Sequence, residues 1–348
     1  MSTVRPAMGT KELRRHVERL PRVELAHLPT PLEELPRFSA ALGGPRVLIK
    51  RDDCTGLAFG GNKARHNEFL MGQAVAQGAE IVVWGAGVQS NNCRQTAAAC
   101  AKLGLECRLV LGRGAHSAEV QGNLLLDHLL GAQVEIVEFP IGPKLYEYIS
   151  AQAAKLRGEG RRVYSWENET VKPLAAVSYT LCVAEMAEQL AQRGDLPSAV
   201  YVASAGSTGS GLLLGKAVLG FEPALKIIAP IHWGWDHAQD MAATANRAAG
   251  LIGLPARVEP ADVETSYDYI GDGYGQASAG GREALDLLAR TEGILLDPVY
   301  TAKAMAALID DVRQGRLPSD QPVVFIHTGG TPVLFACRDD VLERTPRD

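Results

Sequence analysis

Short runs of apolar, often β-branched residues alternate along most of the chain with longer segments in which apolar and charged residues recur at helical spacing. This alternation is typical of parallel sheets that carry helices on both faces. Strands are predicted at residues 47–50, 81–84, 107–111, 133–138, 162–165, 199–203, 225–231 and 323–327, and helices at residues 63–77, 92–103, 119–130, 145–157, 173–192, 208–219, 236–251, 280–291 and 302–314. The predicted fold class is therefore α/β, with twisted parallel sheets.

The length of the chain favours two lobes over one. Single hydrophobic cores stop growing at roughly 250–300 residues, and this chain has 348 residues. A cleft between two lobes is expected. In such folds ligands bind beyond the carboxyl ends of the strands, so the Gly-, Ser- and Asn-rich segments after the strands are candidates for chemistry.

Composition and charge narrow the class of protein. The chain has 46% hydrophobic and 22% charged residues, as an ordinary globular protein does, and its net charge of −5 argues against nucleic acid as a partner. Six scattered cysteines without a C-x-x-C pair favour reduced thiols and a cytoplasmic location. The first residues contain no run typical of a signal peptide, and Gly, Ser and Thr interrupt the uncharged stretch 199–215, so neither secretion nor a membrane span is expected.

The first candidate segment is KRDDCTGLAFGGNKAR, residues 50–65, which places Lys63 in the first turn of a predicted helix. A helix N-terminus carries partial positive charge, which lowers the pKa of a lysine there and favours its neutral, nucleophilic amine. Gly60 and Gly61 permit close approach of the backbone to a ligand, and Asn62 is a candidate N-cap. The alternative is that Lys63 is a solvated residue at a helix start.

Two more segments lead from a predicted strand through a polar turn into a helix. In WGAGVQSNNCRQTAAACAKLG, residues 84–104, the turn at Ser90, Asn91 and Asn92 could bind a carboxylate or a phenolic oxygen. In VASAGSTGSGLLLG, residues 202–215, the loop has no lysine and so is not a Walker loop, but its amides and hydroxyls suit a monoester phosphate. Plain capped or glycine-containing turns are the alternatives for both.

The remaining polar positions carry weaker signals. Tyrosines in SYDYIGDGYGQAS and LLDPVYTAKA, Tyr274 and Tyr300 among them, are by default packing residues. His327 in HTGGTP is expected to be a hydrogen-bonded structural residue. The eight histidines show no H-x-x-x-H or H-E-x-x-H spacing, so no metal site is expected.

Taken together, GGNKAR, QSNNCRQTAA, AGSTGSG, DGYG, DPVYTAKA and HTGGTP, in this order and spacing, resemble the ACC deaminase and D-cysteine desulfhydrase family of fold-type II pyridoxal-phosphate enzymes. The resemblance spans residues 30–335. It implies a two-lobed fold similar to the tryptophan synthase β subunit, with residues 1–60 and 166–348 in a larger cofactor-binding domain and residues 61–165 in a smaller inserted domain. It also implies a homodimer.

The resemblance assigns roles around the cofactor pyridoxal 5′-phosphate. Lys63 matches the Schiff-base lysine, Asn91 the residue that faces the phenolic oxygen, and Thr301 the residue at the pyridine nitrogen. The phosphate loop matches Gly206, Ser207, Thr208 and Gly209.

The resemblance also assigns roles around the substrate, an amino acid. Ser90, Asn91 and Asn92 would approach its carboxylate, and Tyr274 and Tyr300 would flank its reacting side chain. The serine of the QSN motif has been linked to proton removal from Cα in this family. Ser90 or the released Lys63 is therefore the candidate base.

Thr301 bears on the choice of reaction. Members similar to ACC deaminase carry an acidic residue there, and a neutral hydroxyl stabilises a protonated ring less than a carboxylate does. KRDDCTGLA also resembles desulfhydrases and L-cysteate sulfo-lyases, which expel sulfide or sulfite and leave ammonia and pyruvate. The leading hypothesis is a pyridoxal-phosphate lyase that eliminates the β-substituent of a small cysteine-like or cysteate-like amino acid. An ACC deaminase-like ring opening, a racemase or isomerase, and a non-catalytic pyridoxal-phosphate-binding homologue are the alternatives.

Three segments depart from the family pattern. His66 and Asn67 replace a usual Lys-Leu pair, ENETVKPLAA at residues 167–176 replaces a GGSNPLG turn, and HWGWDHA at residues 232–238 introduces Trp233 and Trp235. These segments could reshape the substrate pocket. A bulkier or a cationic amino acid would fit such walls, because tryptophan faces attract cations. The alternative is that the tryptophans pack in the core.

Overall fold

The computed structural model describes residues 8–114, 116 and 119–342 and has an α/β fold. Its strands are β1 (Leu32–Glu34), β2 (Val47–Lys50), β3 (Ile81–Gly87), β4 (Glu106–Gly112), β5 (Gln133–Val137), β6 (Val163–Ser165), β7 (Ala199–Ala203), β8 (Ala224–Ile228), β9 (Thr265–Ser266) and β10 (Val323–Ile326). Its helices are α1 (Thr10–Val17), α2 (Pro36–Leu42), α3 (Asn62–Ala76), α4 (Asn91–Leu103), α5 (Gly122–Leu129), α6 (Pro143–Gly158), α7 (Val171–Arg193), α8 (Ser207–Leu219), α9 (His237–Leu251), α10 (Ala279–Glu292), α11 (Thr301–Arg313), α12 (Val333–Ala336) and α13 (Arg338–Leu342). The predicted fold class is confirmed.

The strands form two sheets. The larger sheet has the order β1-β2-β10-β7-β8-β9, and only its edge strand β1 runs antiparallel to its neighbour among the described residues. The smaller sheet has the order β5-β4-β3-β6 and is parallel throughout. The strands of the smaller sheet lie between two parts of the chain that build the larger one, which supports an inserted domain. The predicted boundaries of the two domains stay a prediction.

One buried core joins the two sheets. Val82 of β3 and Val324 of β10 belong to the same hydrophobic cluster. Helix α7 packs against α3, α8 and α9 within it. A second cluster fills the other face of the larger sheet, where Phe325 of β10 packs with residues of α10 and α11. The two sheets therefore share a fixed wall on which a site between them can be built.

The chain order of the strands brings three polar segments together. Because β7 and β10 are neighbours in a parallel register, the loops that follow them emerge at the same edge of the larger sheet. The backbone N–H of Asn62 donates to the carbonyl of Thr328 at 3.0 Å, which ties the start of α3 to the loop after β10. The start of α3 and the loops after β7 and β10 therefore lie side by side.

The structure differs from the predicted elements mainly at the edges. Helices α1, α2, α12 and α13 and strands β1 and β9 were not predicted, because they are short and carry few buried residues. Strand β8 ends at Ile228 rather than at residue 231. The predicted N-cap of α3 was wrong: Gly61 holds that position, and Asn62 is the first helical residue. Of the helices that the structure describes, none is long and apolar enough to span a membrane.

Candidate active site

The backbone before Lys63 is held in an unusual conformation. Ala58 and Phe59, two residues with side chains, have φ values of 44° and 67°, in the left-handed region that costs about 1–3 kcal/mol per residue outside glycine. Gly60 and Gly61 follow with φ values of 66° and 122°. A Cβ atom on Gly60 would lie 1.9 Å from the carbonyl oxygen of Asp53, so no other residue fits there. This packed turn fixes the position at which α3 begins.

Lys63 lies in the first turn of α3, as predicted, and its side chain lines a cavity between the two sheets. Burial lowers the pKa of Lys63 to about 8, since the surrounding protein disfavours the charged form. The positive charge of the helix terminus predicts the same direction, but in the structure the cause is burial. About a tenth of the amine is therefore neutral and nucleophilic at pH 7.

The polar turn after β3 lies in the same cavity. Ser90 is the N-cap of α4, and its Oγ accepts a hydrogen bond from the backbone N–H of Cys93 at 3.2 Å. Asn91 Oδ1 accepts from Asn123 Nδ2 at 2.9 Å and from Arg94 Nη1 at 3.1 Å. These bonds orient the amide so that its Nδ2 donors remain for a ligand oxygen. Ser90, Asn91 and Asn92 all line the cavity.

Arg94 is a positioning residue that sequence reasoning missed. Its buried guanidinium donates to Asn91 Oδ1 and to Asn123 Oδ1, and its Nη2 donates to the carbonyl of Gly60 at 2.8 Å. Arg94 thus connects the polar turn to the strained turn before Lys63. Its position three residues after Asn91 on α4, where side chains share a helix face, is the signal in the sequence that could have indicated it.

The loop between β7 and α8 presents donors to the cavity. Gly206 is the N-cap of α8, and Ser207 and Thr208 are its first two residues, whose backbone N–H groups have no partner within the helix. All three residues line the cavity. Gly209 does not, and its N–H donates to Ser204 Oγ at 2.9 Å. The N-terminus of α8 therefore offers donors that suit an anion, and we name it the candidate anion site, with Gly209 supporting it from behind.

Two residues of α3 contact this loop directly. Asn62 Nδ2 donates to Thr208 Oγ1 at 3.0 Å, and His66 Nε2 lies 3.2 Å from the same hydroxyl. Burial, together with the charges of Lys63 and Arg65, lowers the pKa of His66 well below its ordinary value, so the imidazole is neutral. His66, one of the departures from the family pattern, therefore connects the lysine helix to the candidate anion site.

Two tyrosines form another wall of the cavity. The hydroxyls of Tyr274 and Tyr300 are 2.6 Å apart, and their rings meet edge to face at 6.0 Å. Burial raises the pKa of both side chains above the ordinary value, so both hydroxyls stay protonated. The carboxylate of Asp297 holds the turn below them by accepting from the backbone N–H groups of Val299 and Tyr300, each at 2.9 Å.

Thr301 is one predicted cofactor residue that the structure does not bring to the cavity. It is fully buried, and its hydroxyl donates to Asp297 Oδ1 at 2.7 Å. Thr328 and Gly329 after β10 line the cavity instead. They belong to the HTGGTP motif, which was the available signal for them. His327 of that motif is a hydrogen-bonded structural residue, as predicted, with its ring between the Leu295 carbonyl and the Gly329 N–H.

The cavity has a volume of about 650 Å³ and two parts. The inner part surrounds the amine, the polar turn and the candidate anion site, and includes Lys63, Ser90, Asn91, Ser207, Tyr300 and Thr328. The outer part opens to solvent and includes Tyr146, Trp166, Glu169, Trp233, Trp235 and Arg247. The two larger departures from the family pattern, residues 167–176 and 232–238, both contribute to the outer part.

Comparison with known proteins decides which chemistry this arrangement serves. The family model of pyridoxal-phosphate dependent enzymes matches residues 23–329. The chain belongs to this family. It is therefore an enzyme whose cofactor is pyridoxal phosphate, and the family predicted from the ordered motifs is confirmed.

Several relatives match almost the whole chain. The D-cysteine desulfhydrases of Salmonella choleraesuis (strain SC-B67) and Klebsiella pneumoniae (strain 342) are each 39% identical over 325 residues, covering 92% of this chain and 97% of theirs. A crystal structure of an ACC deaminase homologue superposes with a TM-score of 0.86 at 35% identity, covering 95% of this chain and 98% of its own. The Escherichia coli diaminopropionate ammonia lyase has the same fold, with a TM-score of 0.67 at 17% identity.

The cavity residues fit pyridoxal phosphate. The α8 N-terminus suits a phosphate, and a reactive amine, Lys63, lies in the same cavity. Asn62, the residue before Lys63, donates a hydrogen bond to Thr208 of α8. The amine and the α8 N-terminus are therefore neighbours in one cavity, and a single small molecule can contact both. The Asn91 amide donors suit a phenolic oxygen. The assignment of these roles to individual residues stays a prediction.

The pKa of Lys63 gives a prediction for cofactor capture. The rate at which the apoprotein captures pyridoxal phosphate should rise with pH and level off above a midpoint near 8, because only the neutral amine attacks the aldehyde. Stopped-flow absorbance over a pH series measures this rate. Nα-acetyl-lysine is the control, and its rate should keep rising to about pH 10.4. A midpoint for the protein equal to that of the control would contradict the effect of burial.

Proposed function

We propose that this enzyme is a lyase that removes the β-substituent of a cysteine-like amino acid and releases ammonia and a 2-oxo acid. The observation that carries the proposal is the neutral lining of the inner cavity. Its polar side chains are hydroxyls, amides, the neutral His66 imidazole and the Lys63 amine. The carboxylates that line the described cavity, Glu167, Glu169 and Asp240, belong to the outer part. A neutral lining gives less support to a protonated cofactor ring, which favours β-elimination over ring opening. The 39% sequence identity to D-cysteine desulfhydrases supports the same choice.

When bound, pyridoxal phosphate supplies an electron sink for negative charge at the Cα atom of an amino acid. The protein residues determine the rest. Asn91 and Asn92 can bind the substrate carboxylate, and Ser90 Oγ or the neutral Lys63 Nζ can accept the Cα proton. The protonated hydroxyls of Tyr274 and Tyr300 can donate a hydrogen bond to the departing sulfur atom.

Product analysis tests the proposed reaction. The enzyme is incubated with D-cysteine, L-cysteine, L-cysteate and 1-aminocyclopropane-1-carboxylate, and sulfide, sulfite, pyruvate and 2-oxobutyrate are measured. Sulfide or sulfite with an equal amount of pyruvate is the expected result. Formation of 2-oxobutyrate alone would establish ring opening instead, and exchange of the α-proton without ammonia would establish a racemase or isomerase.

Replacement of Ser90 separates its proposed role in proton transfer from its role as the N-cap of α4. Ser90→Ala should lower kcat by on the order of 100-fold or more if Ser90 moves the proton, and should lower the free energy of unfolding by about 1 kcal/mol through loss of the helix cap. Ser90→Asn is the matched control, because asparagine caps helices well but has no hydroxyl. The expected result is a stable Ser90→Asn enzyme with the same low kcat. Near-normal kcat in both variants would assign the proton to Lys63.

We also propose that the enzyme is a homodimer. Large apolar side chains are exposed on α5 and on the neighbouring α12: Leu129 is 73% exposed and Phe335 is 66% exposed. Such a patch is unusual on a monomer and fits a second copy of the chain. Light scattering coupled to size-exclusion chromatography should give twice the chain mass, and Phe335→Glu should shift it toward the monomer. A monomeric wild-type protein would refute the proposal.

A further inference from the structure

A row of aromatic side chains, formed by two contacting pairs, lines the cavity from its inner part to its mouth. Tyr300 and Tyr274 form the inner end through their paired hydroxyls. Tyr146 lines the same cavity, and burial raises its pKa to about 12, so its hydroxyl stays protonated. Tyr146 in turn packs on Trp166 with ring centroids 4.7 Å apart. All four side chains line the cavity.

A second aromatic pair also lines the outer part of the cavity. The rings of Trp233 and Trp235 are parallel and 4.9 Å apart, and Trp235 is 45% exposed. The wall continues along α9 from Asp240 to Arg247, which are about 10 Å apart at the rise of an α-helix. The cavity therefore extends well past the place where a small amino acid would react beside Lys63.

The ring of Trp235 already has a cation of the protein beside it. The Lys172 ammonium lies 5.9 Å from the centroid of the Trp235 ring and forms an ion pair with Asp240 at 2.9 Å. The protein's own lysine thus occupies the cation site of Trp235. The aromatic surface of Tyr146 and Trp166 suits a flat apolar group, which stacks on such rings.

We infer that the preferred substrates are S-conjugates of cysteine whose sulfur carries an aryl or arylalkyl group. The amino acid would react beside Lys63, and its S-substituent would extend along Tyr274, Tyr146 and Trp166. The inference rests on the proposed β-elimination and specifies its leaving group. Free cysteine would leave the aromatic row without a partner.

The reaction is balanced with water as the only further reactant. The Cα–H bond and the Cβ–S bond break, and the sulfur leaves with the bonding electron pair and takes up a proton as a thiol. Cβ takes up a proton and becomes the methyl group of the product. Water then replaces nitrogen at Cα, which yields pyruvate and ammonium. The conjugate RS–CH₂–CH(NH₃⁺)–COO⁻ and water thus give RSH, pyruvate and NH₄⁺, without an oxidant or reductant.

Two measurements on the holoenzyme test this inference. The first compares kcat/KM for S-phenylcysteine and free cysteine, in both configurations, from pyruvate and thiol release. Burial of a phenyl group predicts a preference of about 10- to 100-fold for the conjugate. The second measures binding of 2-amino-4-phenylbutanoate, in which a CH₂ group replaces the sulfur so that elimination is impossible. Its Kd, from quenching of tryptophan fluorescence, should be lower than that of 2-aminobutanoate by a similar factor.

Substitutions in the aromatic row connect the preference to the structure. Trp166→Ala should reduce the ratio of the two kcat/KM values by about tenfold. Trp166→Phe should largely retain the ratio, because the buried Trp166 Nε1 has no hydrogen-bond partner among the described residues. Trp233→Ala tests the second aromatic pair independently in case Trp166→Ala fails to fold. Leu196→Ala, at an exposed position outside the cavity, is the control.

The outcomes separate this inference from the proposed reaction. A preference for the conjugate that Trp166→Ala or Trp233→Ala diminishes would support both. Efficient turnover of free cysteine with no preference, or a preference that neither substitution changes, would overturn the inference and leave the lyase function intact. No pyruvate from either substrate, with tight tryptophan-dependent binding of 2-amino-4-phenylbutanoate, would overturn the lyase function and support the pocket.

Discussion

Lys63→Ala is expected to lower kcat by about three orders of magnitude or more and to abolish the absorbance of the lysine-bound cofactor. The variant loses the Lys63 amine. This amine is held in the cavity by the strained turn before it, by the hydrogen bond from Arg94 to the Gly60 carbonyl and by burial of the first turn of α3. Removal of a covalent or proton-transferring group at a reacting centre has effects of this size.

Steady-state assays with the preferred substrate and absorbance spectra check this expectation. Lys102→Ala, at an exposed lysine on α4, is the control and should behave as wild type. A Lys63→Ala enzyme that retains the wild-type spectrum and more than about a tenth of the wild-type kcat would contradict the assignment.

Arg65→Met is expected to lower the free energy of unfolding by about 3–5 kcal/mol, the cost of leaving a buried charge without its partner. Arg65 follows Lys63 by two residues, and its guanidinium donates to both oxygens of Asp52 at 2.8 and 2.9 Å and to Glu185 at 3.0 Å. The Lys50 ammonium also donates a hydrogen bond to Glu185, and the Tyr179 hydroxyl donates one to Asp52 at 2.5 Å. Without Arg65, two buried carboxylates share a single cation.

The same network predicts how stability depends on pH. Burial alone would raise the pKa of Asp52, but the charge and hydrogen bonds of Arg65 lower it below its ordinary value, and Glu185 behaves in the same way. Because both folded-state pKa values lie below the unfolded ones, their stabilisation is present near neutral pH. It is lost as pH falls below the ordinary carboxyl range and through the folded values. In Arg65→Met this loss should begin at higher pH.

Urea unfolding over a pH series measures both effects. Arg14→Met is the matched control, because the Arg14–Glu188 pair spans 2.8 Å but both side chains are more than a third exposed. Its loss should cost at most about 1 kcal/mol. A similar small cost for Arg65→Met would show that the buried network does not stabilise the lysine helix.

The sequence predicted those parts of the fold that are continuous in the chain. Strands β7 and β10 are short apolar runs whose residues are all buried, so their pattern is unambiguous. Strand β1 has the sequence LEE, and only its pairing with β2 makes it a strand. Local pattern alone cannot show such an edge.

The same distinction applies to the site. Lys63, Ser90 and Asn91 stand in motifs that can be read along the chain, and the structure brings them into one cavity. Arg94 contacts Gly60, which is 34 positions away in the chain, and His66 contacts Thr208, which is 142 positions away. A single sequence does not reveal such contacts. Thr301 was selected by its place in a motif, but the fold directs its hydroxyl to Asp297.

The sequence allows two interpretations of Trp233 and Trp235, as residues of a pocket wall or as residues of the core. The structure places them in the wall. It also places the Lys172 ammonium over the Trp235 ring. The sequence could not show this contact, because the two residues come from separate segments. This contact favours a bulky apolar substrate side chain over a cationic one at Trp235.

Borohydride reduction of the holoenzyme, followed by peptide mass spectrometry, tests the central claim most directly. Reduction fixes the cofactor on the lysine that holds it. The expected result is one modified peptide, with the phosphopyridoxyl group on Lys63 and none on Lys172 at the mouth of the same cavity. A label on any other lysine, with Lys63 unmodified, would contradict the account of the site.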